Sequence, residues 1–238
     1  MHSANVCRPM DRSSASRFDF NRIAHRYDAW YRAPRGAMYD RLEKATIDKL
    51  LPPTSQGGKL LEVGCGTGHW SEYFAGKGYA VTGVDISERM IAIARQRSIS
   101  GATFDMADAE KLPFPDGGFD AVAAITALEF TADPVQAVSE MTRCVRKPGG
   151  MLIVGVLNRL SGCNQRRKRR ATSMYASTTL FSPDDLRALL DHAGTPTILA
   201  AGFIPRWDFL VRLSPLLERM GRLWGNERGA FLAAKVTR

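Results

Sequence analysis

A short apolar run, Lys59–Val63, passes into the bend Glu62-Val63-Gly64-Cys65-Gly66-Thr67-Gly68, and a helical pattern near His69–Lys77 follows at once. Three alternating glycines between a strand and a helix give a tight backbone turn without Cβ atoms, so a ligand can approach the main chain closely. Asp85 ends the next apolar run, Tyr79–Val84, at about the 20-residue separation at which an acid on the second strand bonds both hydroxyls of a ribose. Few other features restrict the fold of a chain so strongly.

The alternation continues. Ser87 is placed to cap a helix over Glu88–Arg97 whose Met90, Ile91 and Ala94 can face a sheet. Ala102–Met106 is a weaker third strand, and Phe119–Thr126 is a fourth, apolar on both faces as a strand covered on each side should be. Asp133-Pro134 opens a helix that runs through Val145, and Lys147-Pro148-Gly149-Gly150 turns into a fifth strand, Met151–Leu157. Pro196–Ala201 and Gly229–Val236 read as two closing strands. The expected fold is α/β: a Rossmann-like, mostly parallel seven-stranded sheet with helices on both faces.

Around this centre lie less regular segments. Residues 1–17 are polar and Arg/Ser-rich and are expected to be a disordered tail, with residues 18–238 forming one domain. From Phe18 to Leu51 the pattern is helical, striped by Met38, Leu42, Ile47, Leu50 and Leu51, and Leu51-Pro52-Pro53-Thr54-Ser55-Gln56-Gly57-Gly58 reads as a linker. Residues 158–181 hold Gln165-Arg166-Arg167-Lys168-Arg169-Arg170 and no clear element, and are expected to be a cap or substrate insertion that helps form the acceptor pocket, with the basic run either a solvated loop or a contact for an anionic substrate. Ser182-Pro183-Asp184-Asp185 starts a helix to His192. Within 203–228, Ser214-Pro215 starts another, with Leu216, Leu217, Met220, Leu223 and Trp224 as its apolar stripe, read first as a cap over the active site and otherwise as a dimer contact or a membrane-surface anchor.

The net charge of +9 is unevenly spread: +4 over residues 1–35, −3 over 36–157 and +8 over 158–238. Positive flanks around a slightly acidic centre suggest a part in partner or substrate contact. The four cysteines, Cys7, Cys65, Cys144 and Cys163, lack metal or disulfide spacing and are read as reduced thiols, with no metal site. No apolar run approaches a membrane span and no secretory signal is evident, so a cytoplasmic address is expected.

A dinucleotide-binding fingerprint would require glycine at position 69, which is His69. Glu62–Gly68 instead resembles motif I of the class I S-adenosylmethionine-dependent methyltransferases. Asp108-Ala109-Glu110-Lys111-Leu112-Pro113-Phe114-Pro115-Asp116 resembles the segment in which that family reads adenine, and Phe119-Asp120 and Arg143–Gly150 resemble its later motifs. The resemblance spans residues 58–157 and is strongest to the small-molecule group that includes ubiquinone and menaquinone methyltransferases.

The resemblance implies S-adenosylmethionine as cofactor and a role for each matching residue. Gly64, Cys65 and Gly66 would pass under the methionine moiety, and Glu62 would orient its ammonium group. Asp85 would hold the ribose, Ile86 and Met90 would lie against adenine, and Asp108 and Ala109 would bond its edge. Thr126 and Leu128 would line the sulfonium end. Ala24-His25-Arg26-Tyr27-Asp28-Ala29-Trp30-Tyr31 resembles the family's N-terminal lid, which makes residues 18–51 a lid with Tyr27 and Tyr31 closing over the sulfonium.

Many relatives carry histidine where this chain has Glu129 and Phe130, which leaves Glu129 as a weak candidate for a catalytic base. His25 and His69 are read first as structural residues. The expected acceptor is a small molecule of anionic or lipid-like character, the methylated atom O, N or C, and the protein a monomer or homodimer. The rival reading is an RNA- or protein-modifying methyltransferase recruited by the basic flanks. No aromatic residues interleave Arg166–Arg170 to stack bases, so stable nucleic-acid binding is not expected.

Overall fold

The computed structural model describes residues 18–54, 57–170, 173–205, 208–223 and 225–238. The expected tail with Cys7, the linker residues Ser55 and Gln56, and Trp224 of the expected stripe lie outside them, as do the side chains of Arg222 and Leu223.

β1 (Lys59–Val63), β2 (Ala80–Asp85), β3 (Ala102–Met106), β4 (Ala121–Ile125) and β5 (Met151–Leu157) pair in parallel, with β6 (Thr197–Ala201) and β7 (Phe231–Thr237) beyond them. The order is β3-β2-β1-β4-β5-β7-β6, and only β7 runs against its neighbours. This is the seven-stranded Rossmann-like sheet the alternation implied. All five residues of β4 are buried, because successive side chains enter opposite cores. Leu60, Ala121, Ala123 and Ile153 pack with Trp70 and Phe74 of α3 (His69–Gly76) and with Ile47. Leu61, Val122, Val154 and Leu232 pack on the other side with Val138 and Met141 of α5 (Pro134–Cys144) and Leu186 of α7 (Pro183–Leu190).

Strand order reverses between β1 and β4, and Glu62 pairs with Gly83 on one side and Ala123 on the other. The carboxyl ends of three strands therefore open together at the point where such sheets bind ligands. Helix starts follow the sequence signals. Ser87 Oγ accepts the Met90 N–H at the head of α4 (Glu88–Gln96), Asp133 caps α5, and Ser182 with Asp185 forms a reciprocal capping box.

Three expectations are corrected. The segment from Phe18 is not one helix: it forms 3-10 turns at Phe20–Arg22 and Ala24–Arg26, a short α1 (Ala29–Arg32), then α2 (Pro34–Ile47). Ala33 is extended (ψ 143°) because the following Pro34 excludes the helical region there. Secondly, the basic stretch contains a helix, α6 (Gly162–Lys168). It carries no apolar stripe because a polar residue, Asn164, is its buried anchor, donating to Asn158 O (3.0 Å) and Ala230 O (2.7 Å).

Finally, among the described residues of its apolar stripe α8 (Ser214–Leu223) leaves Leu216 57% exposed and Leu217 and Met220 half-buried, while Ser214, Glu218 and Gly221 face inward. Glu218 accepts from Gly202 N–H and Phe203 N–H (3.0 and 3.2 Å), and Gly221 lies against the Phe203 ring, where a Cβ would come within 2.8 Å. Loop amides that needed an acceptor set the rotation of this helix.

Candidate active site

The glycine bend is built by the end of β2. The amides of Gly64 and Cys65 both donate to Val84 O (2.8 and 2.9 Å), and Gly64 and Gly66 take φ values of +75° and +53°. A Cβ on Gly64 would lie 2.4 Å from the Ala127 Cβ, so glycine there permits the bend to touch the segment after β4. A Cβ on Gly66 would meet nothing within 4 Å, and Gly66 lines a crevice.

Two acids shape that crevice. Asp85 accepts from Gly66 N–H through Oδ2 (2.9 Å) and from Ser87 N–H through Oδ1 (2.8 Å), joining the first and second loops. Burial raises its pKa, and the amides of Ser87, Gly66 and Ile86 oppose the rise. Glu62, 2% exposed, accepts from Ser71 Oγ. Burial pushes its carboxyl up to about 8, with the Ser71 hydrogen bond pulling down and the nearby Asp85 pushing up.

All thirteen residues named for the cofactor line this one crevice. Glu62, Gly64, Cys65 and Gly66 form its floor beside β1, Asp85, Ile86 and Met90 one end, Asp108 and Ala109 the wall beyond β3, and Thr126 and Leu128 the rim after β4. Thr126 holds a φ of +51°, a left-handed conformation that a β-branched residue rarely adopts, and its N–H donates to Gly155 O.

Tyr27 and Tyr31 reach the crevice from above, on a segment fastened at three points. Asn21 Oδ1 accepts from Ser87 Oγ (2.9 Å), and Asp28 accepts from Thr67 Oγ1 (2.6 Å). Tyr31 stacks on His69 at 3.7 Å, and His69 Nε2 contacts Asp40 Oδ1 at 2.7 Å. Burial would raise the Asp40 carboxyl, but hydrogen bonds to His69 and Lys44 outweigh it and lower the pKa.

Other expected residues are elsewhere. Glu129 lines neither this crevice nor the cavity beside it. It is fully buried, its Oε1 accepts the Leu157 N–H, and Oε2 has no partner among the described residues. Burial lifts its carboxyl to about 7 against the hydrogen bonds from the Leu157 and Glu129 amides. His25 is exposed. Among the described residues, none from 203–228 lines the crevice or that cavity.

The adjoining cavity is lined from the lid segment and from 158–181, and holds residues the sequence did not single out, Glu43 and Tyr175 among them. It shares Tyr27, Tyr31, Thr126 and Phe130 with the crevice and, besides Phe18, Ile23 and the exposed Arg26, is lined by Trp30, Tyr39, Glu43, Leu157, Arg167, Met174 and Tyr175. These come from α1, α2, β5, α6 and the segment after it, so no local pattern links them. The one available signal was the aromatic cluster Tyr27, Trp30 and Tyr31.

The comparisons bear on this geometry directly. Residues 61–154 match the methyltransferase-domain family. An O-methyltransferase of Penicillium expansum is 33% identical over 202 residues, covering 81% of this chain and 70% of the relative. The chain belongs to the class I S-adenosylmethionine-dependent methyltransferases. A demethylmenaquinone methyltransferase of Tropheryma whipplei is 36% identical over 57% of this chain and 56% of its own length. Among solved structures, a SAM-dependent methyltransferase from Thermotoga maritima superposes with a TM-score of 0.71 at 27% identity, covering 92% of this chain and 97% of that one.

The methyltransferase uses S-adenosylmethionine, and the crevice suits that ligand on its own chemistry. Among the described residues its lining includes Glu62, Asp85, Asp108 and Glu110 but no Lys or Arg. Such a surface welcomes a sulfonium, an ammonium and ribose hydroxyls. The open face at Gly66 leaves room for a ligand against the backbone. Among the described residues no helix is long and apolar enough to cross a membrane.

Proposed function

We propose that the methyltransferase transfers a methyl group to a small-molecule acceptor bound in the aromatic cavity beside the cofactor crevice. The observation that carries this reading is the shared wall: Tyr27, Tyr31, Thr126 and Phe130 line both spaces. An acceptor in the cavity would meet the cofactor's methyl group directly at the junction those four side chains frame. Relatives named as an O-methyltransferase and a demethylmenaquinone methyltransferase support a small, partly apolar acceptor.

Asp85 holds the ribose hydroxyls, Glu62 the ammonium group, and Asp108 with Ala109 the adenine edge, while Ile86 and Met90 pack on its face. Gly64, Cys65 and Gly66 carry the amino-acid tail. Bound S-adenosylmethionine supplies a methyl group already activated as a sulfonium. The protein's own task is alignment and exclusion of water. The segment over residues 18–47 does both: Asn21, Asp28 and Tyr31 fasten it to the cofactor loops, and Tyr27 and Phe130 close the junction.

Glu129 acts here as a buried pin on β5 through the Leu157 amide. An acceptor whose nucleophile must lose a proton has Glu43 as the carboxyl lining the cavity itself. The test is S-adenosylhomocysteine release in the presence of candidate acceptors, with Asp85→Ala as control. Acceptor-dependent release that this substitution abolishes supports the reading, and no release with any small acceptor contradicts it.

A further inference from the structure

Arg167 is the member of the basic run that turns inward. Arg166, Arg169 and Arg170 are exposed, and Lys168 Nζ donates to Thr178 O. The Arg167 guanidinium lies 4.9 Å from the Trp30 ring centre, 5.2 Å from Tyr39 and 5.5 Å from Tyr175. Three ring faces stabilise the charge. Among the described residues, however, its side chain makes no hydrogen bond or ion pair, although it lines the cavity with five N–H donors.

Glu43 lines the same cavity without pairing to it. Burial and the neighbouring Asp40 push the Glu43 carboxyl up to about 8, although Arg167 pulls it down. A carboxyl shifted upward in this way is a weak counter-charge, and among the described residues no ion pair joins it to Arg167. An unpaired cation with a planar fork of donors, in a half-buried aromatic chamber, is costly unless a ligand completes it.

We propose that Arg167 binds the carboxylate of the methyl acceptor, and that the acceptors of this methyltransferase are flat aromatic acids. The inference rests on the acceptor cavity proposed above and deepens it by naming the substrate class. Arg167 lines only the cavity, not the cofactor crevice. The acid is thus held at the distal end, and a different atom of the ring system faces the shared wall of Tyr27, Thr126 and Phe130. Trp30, Tyr39 and Tyr175 make the cavity wall aromatic around Arg167, which suits a planar skeleton. A guanidinium grips one carboxylate with two parallel hydrogen bonds. A cationic amine would be repelled there, and an uncharged lipid would leave the guanidinium unpaired in a drier cavity.

The test is calorimetric titration of the full chain, loaded with S-adenosylhomocysteine, using matched hydroxybenzoic and hydroxynaphthoic acids, their methyl esters and the corresponding arylmethylamines. At least one acid is expected to bind about tenfold or more tighter than its ester and its amine, as one charge-assisted pair implies. Arg167→Met, which retains the apolar stem against the rings, should bring that acid down to the level of its ester while S-adenosylhomocysteine affinity stays within about twofold. Arg167→Lys should restore only part of the preference, since the charge returns without the fork.

Esters or amines that bind as well as the acids overturn the inference. So does an acid preference that survives in Arg167→Met, or a complete lack of acid binding. Failure of the unsubstituted protein to bind S-adenosylhomocysteine would instead overturn the cofactor reading beneath it. Cofactor binding without acid preference removes this inference alone.

Discussion

The Gly66 N–H donates to Asp85 Oδ2 across 2.9 Å, so the carboxylate assigned to the ribose also holds the bend beneath the amino-acid tail. Its other oxygen takes the Ser87 amide that begins α4. Replacing Asp85 with alanine removes ribose acceptors and frees two backbone donors at once. Binding of S-adenosylhomocysteine should weaken by about 1–3 kcal/mol, with a lower melting temperature. Calorimetric titration checks this, and unchanged affinity would refute the ribose assignment.

Glu62 gives a pH signature. Its folded pKa, about 8, lies above the usual 4.5 because burial favours the neutral form. The folded chain thus holds more protons than the unfolded chain between those values, and stability declines as pH rises through that window. Glu43 at about 8 and Glu129 at about 7 act in the same direction. The melting temperature of the ligand-free protein should fall between about pH 5 and pH 8. A ligand ammonium beside Glu62 favours its ionised form, so stabilisation by S-adenosylhomocysteine should be larger at pH 8 than at pH 6. Glu62→Gln should flatten that difference. Thermal melts at both pH values measure it.

Gly64 meets two demands: a φ of +75° and a distance of 2.4 Å from an added Cβ to that of Ala127. The left-handed conformation costs a non-glycine residue about 1–2 kcal/mol. Displacing the segment after β4 adds an overpacking penalty of about 1–3 kcal/mol. Gly64→Ala should therefore destabilise the protein in denaturant titrations and weaken cofactor binding. Gly66→Ala meets no protein atom within 4 Å, so its φ strain leaves the larger effect on ligand binding.

Glu129 separates a pin from a base. Glu129→Gln retains an oxygen for the Leu157 amide and should keep kcat within about threefold, whereas loss of a general base typically costs about a hundredfold or more. Glu129→Ala should destabilise the fold by about 1–3 kcal/mol through the orphaned Leu157 donor. A stable Glu129→Gln variant with its turnover abolished would assign the carboxyl to catalysis instead.

The cofactor crevice was legible because its parts lie on consecutive strand ends. The bend at Gly64–Gly68, Asp85, Asp108 and Thr126 each follow a strand whose apolar run marks it in the sequence, and the parallel topology then brings those ends together. The individual residues of the cavity proposed for the acceptor were hidden for the opposite reason. Glu43 and Arg167 sit on helices from distant segments, and α6 is anchored by the amide of Asn164, which leaves no hydrophobic period to detect. The α8 stripe misled because Glu218, bonded to two loop amides, took the inward position that Leu216 was expected to hold. Hydrophobic period reports which residues prefer burial, not which backbone groups require a partner.

A crystal structure of the S-adenosylhomocysteine complex tests the central claim most directly. The account predicts both ribose hydroxyls within about 3 Å of the Asp85 carboxylate, the amino-acid tail across Gly64–Gly66, and the sulfur facing Tyr27, Thr126 and Phe130. A ligand seated elsewhere, or one whose sulfur turns away from the aromatic cavity, would contradict it.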